Sequence, residues 1–266
     1  MPAYNSARFL RQAVDSVLQQ DWTDLELIVV NDGSSDETEE ILLSYTDPRL
    51  KYVRNDVNQG LVYTLNRGLE LASGEWIARM DADDICLPGR FSAQLAYFRE
   101  HPEADVLATR VRLIDEQDQE IGYWEDDRRT VTPGEIRRYL PGNNCIAHPT
   151  VMVRSALIRT FRYRSSQSQA EDYDLWLRMA AAHKQIHKLE TEYVLHRIVA
   201  SSFTRNRQQN VFRKLAETKR RFLKESRGMG YDRTFLLAVW GHAQLDGIKS
   251  WLKDLKKKHV VQASVV

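Results

Sequence analysis

Apolar and polar positions follow two different periods along the first hundred residues. Residues 10–18 place leucine, alanine and valine side chains on one helical face, whereas the continuous apolar run at 26–30 is typical of a strand buried on both faces. Further strands are predicted at 51–54 and 73–80, and a helical pattern follows each of them. Strands that alternate with helices indicate βαβ units, so this part predicts an α/β fold with a mostly parallel sheet flanked by helices.

The pattern changes after about residue 104. Short strand-like segments between 105 and 165 predict a region of mixed structure, and residues 170–183 return to a helical period. The remainder of the chain is helical in pattern and rich in lysine and arginine. We therefore expect a sheet-containing domain over 1–204 and a basic helical extension over 205–266.

The composition is that of an ordinary globular protein of 266 residues, 42% of them hydrophobic and 28% charged. The net charge of +1 does not indicate any class of binding partner, but the charges are unevenly distributed along the chain. Between Arg213 and Lys258 there are 13 lysine and arginine residues against 5 acidic ones, a local charge of +8, so the rest of the chain carries −7. No nucleic-acid-binding motif accompanies this basic tail, and we expect no nucleic-acid partner.

Cysteine usage and terminal hydropathy indicate a compartment. The two cysteines, Cys86 and Cys145, are far apart and lack metal-ligand spacing, which argues against a disulfide scaffold or a zinc site and fits a reducing environment. The first ten residues contain no apolar signal segment, and the apolar run at 235–240 is too short to cross a bilayer. These features predict a cytoplasmic protein.

Two acidic loops follow predicted strands, NDGSSD at 31–36 and DADD at 81–84. In open parallel sheets, ligands bind beyond the carboxyl ends of the strands, where both loops are expected to lie. Crowded carboxylates repel one another unless a cation lies between them, and Mn2+ or Mg2+ combines such oxygen ligands with phosphates. The alternative interpretation is a solvated acidic turn in which Asp84 caps the next helix.

Several motifs, taken together and in order, resemble family 2 glycosyltransferases, which are nucleotide-sugar-dependent enzymes of the GT-A fold. The matching segments are PAYN (2–5), ELIVVNDGSSDET (26–38), NQG (58–60), ASGEWIARMDADD (72–84) and AEDYDLWLR (170–178). The resemblance covers roughly residues 1 to 200. It implies a Rossmann-like nucleotide-binding part over about 1–104 and an acceptor-side part over about 105–204.

The opening residues are unusual for such a fold. MPAYN is the kind of loop that follows a strand, yet no strand precedes it in the sequence. This pattern predicts that the first strand, a central and doubly buried element, is missing. We therefore expect a start that is truncated relative to the working protein.

The resemblance assigns the donor side of the site. Pro2 and Tyr4 lie in the loop that flanks the nucleotide base, and Asp32 accepts from the uracil imide when the donor is a UDP-sugar. Asp81 faces the ribose, and Asp83, with Asp81 in the same motif, holds the Mn2+ or Mg2+ that bridges the diphosphate. Without the resemblance, Asp32 is equally interpretable as a turn residue before a helix.

The resemblance also assigns the acceptor side. Asp172 is implied to be the general base of an inverting transfer, and Glu171 to orient the acceptor. The alternative is that acids at a helix start favour the macrodipole. His148 lies in a loop that family members place near the acceptor, although a lone histidine is more often structural.

The segment after the last predicted strand departs from the family pattern. Family members often carry Arg-x-His there, with the histidine near the metal, but this chain has Val199 at the third position. His196 is predicted to point the other way on a strand. The sequence therefore leaves metal coordination from this segment open.

The C-terminal segment KSWLKDLKKK at 249–258 is basic and amphipathic. Such a helix is typical of a peripheral membrane contact at the inner face, which would suit a lipid-linked acceptor, although a solvated helix is an equal alternative.

These features predict an inverting, metal-dependent glycosyltransferase of surface polysaccharide biosynthesis, with a saccharide or lipid-linked acceptor. Two alternatives remain at this stage. A metal-dependent phosphatase or nucleotidyltransferase could use the DADD loop, but the sequence has no phosphate-cradling glycine-rich loop or DxDxT motif. A non-catalytic nucleotide-sugar-binding module is the second.

Overall fold

The computed structural model describes the backbone of residues 1–167, 169–199 and 211–263, and the side chains of these residues up to 255. Its helices are α1 (Ala7–Leu18), α2 (Thr38–Leu43), α3 (Leu61–Leu71), α4 (Arg90–Glu100), α5 (Glu125–Arg128), α6 (Pro133–Tyr139), α7 (Ser155–Phe161), α8 (Glu171–Ala181), α9 (Val211–Glu225) and α10 (Arg233–Ala263). Its strands are β1 (Pro2–Ala3), β2 (Leu27–Asn31), β3 (Leu50–Arg54), β4 (Trp76–Ala78), β5 (Ile85–Cys86), β6 (Val106–Ile114), β7 (Glu120–Tyr123), β8 (Met152–Arg154) and β9 (Ile186–Arg197). The predicted boundary between 204 and 205 lies outside the described residues.

The first sheet is parallel, with strand order β1-β2-β3. All five residues of β2 are buried, as the apolar run predicted. The expectation that no strand precedes the PAYN loop needs correction, because Pro2 and Ala3 pair in parallel with Val30 and Asn31. The backbone amide of Val30 also donates to the carbonyl oxygen of Met1 at 3.0 Å. A two-residue strand therefore leads into the loop that carries Tyr4.

The second sheet is mixed, with strand order β4-β8-β6-β9-β5 and with β7 paired to β6. Strand β4 pairs antiparallel with β8, and β6 pairs in parallel with β9. The α/β class is confirmed, but the prediction that the strand before the DADD loop continues the parallel sheet is wrong. An apolar pattern reports that a strand is buried, and it does not report which strand it pairs with.

The helical tail packs on the body of the protein. Helix α8 is buried along nearly its whole length, and Trp176 is completely inaccessible to solvent. Phe222 of α9 and both Phe235 and Val239 of α10 belong to the same hydrophobic core as Trp176. The helical prediction for this segment is confirmed, while the division of the chain into two domains stays a prediction.

A cavity of about 740 Å³ lies between β2 and β4. Its walls are mainly apolar and include Leu65, Phe91 and Met152. Val30 and Met80, which shortly precede the two acidic loops, also line this cavity. The cavity therefore reaches the ends of two strands that belong to different sheets.

Candidate active site

The carboxylate of Asp32 is buried and holds the neighbouring NQG loop. Its Oδ1 atom accepts from Asn55 Nδ2 at 2.6 Å and from the amide of Gln59 at 2.9 Å, and its Oδ2 atom accepts from the amide of Gly60 at 2.8 Å. The amide of Asp32 donates to the carbonyl oxygen of Ala3 at 2.8 Å, next to the half-exposed ring of Tyr4. Asp32 thus fixes the loop beside the opening residues.

The DADD loop uses its acids in different ways. Asp81 is ion-paired with Arg79, which is 8% exposed. Asp84 is completely buried and accepts from His196 Nδ1 at 3.0 Å and from the amide of Arg197 at 2.8 Å. The alternative that Asp84 caps the next helix is wrong, because α4 begins after Gly89, which adopts a φ of +80°.

Arg197 of strand β9 holds this loop through a hydrogen bond to its backbone. Its guanidinium is 1% exposed and donates from Nε to the carbonyl oxygen of Asp83 at 2.8 Å. The same group donates to Gln12 Oε1 at 2.9 Å and lies over the ring of Phe9, with 4.3 Å between the guanidinium carbon and the ring centroid. The loop is therefore tied to helix α1 as well as to strand β9.

A possible cation site is formed by Asp81, Asp84 and His196. One ligand atom from each of these side chains lies within 4.8 Å of the other two. Burial and the charges of Asp81 and Asp84 raise the pKa of Asp83 to about 7. A cation would relieve this repulsion, so the residues fit Mn2+ or Mg2+ with oxygen and imidazole ligands.

The imidazole of His196 lies beside Asp84 and near Asp81, so the expectation that this side chain points away from the acidic loop is wrong. Although burial opposes the charged form, the Asp84 carboxylate raises the pKa of His196 to about 9. A bond from Nδ1 to a carboxylate leaves Nε2 as the metal-binding nitrogen, an arrangement common around protein metals. Sequence reasoning missed Asp84 and His196 because they are separated by 112 positions and meet only through the pairing of Ile85 with Leu195.

The acidic motif at the start of α8 lies within range of the charge of Arg79. Asp172 accepts from Asn144 Nδ2 at 3.0 Å and from the amide of Tyr173 at 2.7 Å, and burial raises its pKa. Burial and the charge of Asp172 raise the pKa of Glu171 to about 8. The positive charge of Arg79 favours the ionised form of both carboxyl groups, so it opposes both increases in pKa without cancelling them. At neutral pH the raised pKa favours a protonated Glu171.

Two neighbouring residues have different surroundings. Asp174 is completely buried and ion-paired with Arg178 at 2.7 Å, so it anchors the helix. His148 is 7% exposed, and its Nε2 atom lies 2.8 Å from the hydroxyl of Tyr163. Burial lowers the pKa of His148, and the charge of Arg79 adds to this effect. His148 is therefore neutral and lies within reach of the field of Arg79.

The raised pKa of Glu171 predicts a pH-dependent stability. Because the folded state disfavours the charged form, this group stabilises the fold fully at low pH. Its contribution is lost as the pH rises from the ordinary pKa of 4.5 to the raised pKa of about 8. Between about pH 5 and pH 6.5, wild type should lose about 2 kcal/mol more unfolding free energy than Glu171→Gln. Urea denaturation at both pH values measures the difference. Parallel losses in the two proteins would contradict the raised pKa.

The comparisons with known proteins agree with this geometry. A sequence profile described as glycosyl transferase family 2 matches residues 1–161. The O-antigen biosynthesis glycosyltransferase WbnJ of Escherichia coli is 33% identical over 182 residues, covering 67% of this chain and 69% of its own. The chain belongs to glycosyltransferase family 2, and it is a transferase.

Solved structures show the same fold at lower identity. S. aureus TarS 1-349 in complex with UDP-GlcNAc superposes with a TM-score of 0.71 at 21% identity, covering 88% of this chain and 68% of that one. The mannosyltransferase PcManGT from Pyrobaculum calidifontis, in complex with GDP-Man and Mn2+, gives a TM-score of 0.61 at 17% identity, covering 91% and 67%. The GT-A fold is therefore confirmed, and the chain spans about two thirds of the length of these relatives.

Proposed function

We propose that the protein is an inverting glycosyltransferase that moves a sugar from a UDP-linked donor to a hydroxyl of a saccharide or lipid-linked acceptor. The observation that carries the proposal is that the charge of Arg79 acts on two acidic groups from distant parts of the sequence. Arg79 is ion-paired with Asp81 of the DADD loop, and its charge acts on Glu171 and Asp172. Its Nε atom is buried without a partner among the described residues, so a buried donor remains for an anionic ligand. Family membership sets aside the phosphatase and nucleotidyltransferase alternatives.

The nucleotide is assigned to the surface beside Pro2, Tyr4 and Asp32. A carboxylate offers about four acceptor positions, and three of those of Asp32 are filled, which leaves one for a uracil imide. The half-exposed ring of Tyr4 offers a stacking surface for the base. The UDP-GlcNAc complex of the S. aureus relative supports a uridine donor.

The diphosphate is assigned to the DADD loop. Asp81, Asp84 and His196 would hold Mn2+ or Mg2+, and the Asp84 carboxylate also orients the imidazole. Asp83 is assigned to the same ion as the second acid of the DxD motif. A bound divalent cation supplies charge neutralisation at the departing diphosphate. The Mn2+ complex of the Pyrobaculum relative supports a divalent ion at this position.

The transfer step is assigned to Asp172. Its carboxylate takes the proton of the acceptor hydroxyl while that oxygen forms a bond to the anomeric carbon and the bond to the UDP oxygen breaks. This single displacement inverts the anomeric configuration. Asn144 holds the Asp172 carboxylate in place, and a protonated Glu171 donates a hydrogen bond to the acceptor. His148, held by Tyr163, borders the acceptor side.

The pathway assignment has its own support. WbnJ is named for O-antigen biosynthesis, so we assign the acceptor to a growing surface polysaccharide. A screen of nucleotide sugars for hydrolysis or transfer, each with Mn2+ and with EDTA, tests the whole proposal. Turnover of a UDP-sugar with release of UDP, and only with the metal, is expected. Turnover of other nucleotide sugars alone would reject the uridine assignment.

UDP binding should depend on the cation, because three carboxylates otherwise face the diphosphate. Isothermal titration calorimetry should give measurable affinity with Mn2+ and none with EDTA or in Asp83→Ala. His196→Gln should weaken Mn2+ binding by about 10- to 100-fold, the usual loss when a metal site loses a supporting histidine contact.

A matched control is His101→Gln, since His101 also lies beside a carboxylate, at 3.2 Å from Glu103, but is outside the site. This variant should bind UDP and Mn2+ as wild type does. Equal UDP affinity in EDTA, or in Asp83→Ala, would end the metal-bridge assignment.

A further inference from the structure

Helix α10 carries an exposed apolar face that the catalytic site does not use. Its members share high exposure, between 46% and 66%, and they are Leu237, Trp240, Leu245, Ile248, Trp251 and Leu252. At 100° per residue these positions fall within an arc of about 140°. The sequence predicted an apolar stripe only within 249–258, whereas the structure shows that it begins more than three turns earlier.

The opposite side of the same helix is also apolar. Phe235, Val239 and Ala243 are buried, the first two in the core that surrounds helix α8. A helix that covers the core needs only one apolar face, with polar residues on the other. In the outer arc between Leu237 and Leu252, Gln244 is the one polar side chain. The outward face therefore has the composition of a surface that contacts another apolar phase.

A groove borders this face. It has a volume of about 390 Å³ between α9 and α10, and its walls include Arg213, Glu217 and Arg220 beside Ile248 and Trp251. Arg213 is ion-paired with Asp254 at 2.7 Å. The guanidinium of Arg220 lies against Gly247, where an added Cβ would be 2.7 Å from Nη2. Arg220 makes no ion pair with any residue that the structure describes. The groove thus places positive charge next to exposed tryptophan.

We propose that this face, with the adjoining groove, docks on an anionic lipid surface. Tryptophan prefers the level of the lipid headgroups, aliphatic side chains enter the acyl boundary, and arginine attracts anionic headgroups. From Leu237 to Leu252 the face extends about 22 Å, so the helix would lie along the surface. Among the described residues, no helix is both long and apolar enough to cross a bilayer.

The charges favour a membrane over a second copy of the chain. In a two-fold dimer through this face, the same patch meets itself, so two segments that each carry a charge of +8 between Arg213 and Lys258 would approach each other. Like charges in such an interface are unfavourable, whereas an anionic lipid surface complements them. The proposal does not depend on the donor, the acceptor or the metal.

The test is co-sedimentation of the full chain with vesicles of phosphatidylcholine alone and of phosphatidylcholine mixed with phosphatidylglycerol. Wild type should bind the anionic vesicles at least about tenfold more tightly, and salt should weaken the binding. Trp240→Ser combined with Trp251→Ser should reduce binding to the anionic vesicles at least about tenfold, because both rings enter the interface. Arg220→Glu should reduce it by about fivefold or more.

The matched control is Leu43→Ser, because Leu43 is 65% exposed on helix α2 and lies outside the proposed face. Its binding should equal that of wild type. Trp240 and Trp251 are 56% and 61% exposed, so circular dichroism should show folded variants. Wild type that ignores anionic vesicles, or binding that survives the double substitution, would overturn the proposal. A dimer in sedimentation velocity that the same double substitution dissociates, without vesicle binding, would assign the face to a second copy.

Discussion

Replacing Asp172 by asparagine should slow sugar transfer by about 10²- to 10⁴-fold, the usual loss when a general base is removed. Asparagine keeps the shape, but its single carbonyl oxygen can accept only one of the two hydrogen bonds that Asn144 and the amide of Tyr173 donate to the two carboxylate oxygens. It also cannot take the acceptor proton. The loss should fall on kcat, because the proton is transferred only in the transition state. UDP release from a UDP-sugar, measured with acceptor present, gives the rate.

UDP affinity of Asp172→Asn should stay at the wild-type value, since Asp172 is assigned to the acceptor and not to the nucleotide. Asp21→Asn is the matched control: Asp21 is exposed, and its carboxylate also accepts from the amide of the next residue, Trp22, at 3.0 Å. Near-normal transfer by Asp172→Asn would return this residue to a structural role at the start of α8. Loss of UDP binding as well would point to damage of the fold.

Lys188→Met should lower the unfolding free energy by about 3–5 kcal/mol, because Asp127 then remains as a buried charge without its partner. Lys188 and Asp127 have no exposed side-chain surface, and Nζ lies 3.0 Å from Asp127 Oδ1. The same ammonium group donates to the carbonyl oxygens of Asp127 and Cys145, each at 2.7 Å. Methionine fills a similar volume but donates nothing, so these acceptors lose their donor. Urea denaturation at neutral pH measures the loss.

Two further variants isolate the cause of that loss. Lys184→Met removes a lysine that is 36% exposed and lies 3.5 Å from Asp105, and it should cost about 1 kcal/mol or less. Adding Asp127→Asn to Lys188→Met should restore part of the stability, because the uncompensated charge is gone. If Lys188→Met and Lys184→Met lower the unfolding free energy by the same amount, the buried pair does not stabilise the junction of β9 and α5.

The sequence by itself determined which segments are buried. The run at 26–30 and the helical period at 10–18 predicted β2 and α1 to within a few residues. The two acidic loops were also visible, because crowded carboxylates after apolar strands are chemically unusual. Periodicity predicts these features well, since it records which side of an element faces water.

Only the tertiary structure decided which elements meet. The pairing of β5 with β9 brings Asp84 to His196, and the antiparallel pairing of β4 with β8 removes β4 from the parallel sheet. Strand partners and register depend on contacts between residues far apart in the chain, which a local pattern does not encode. Helix α10 shows the same limit, because its inner and outer faces are both apolar. Packing of Phe235 on the core selected the inner face and left Trp240 and Trp251 in solvent.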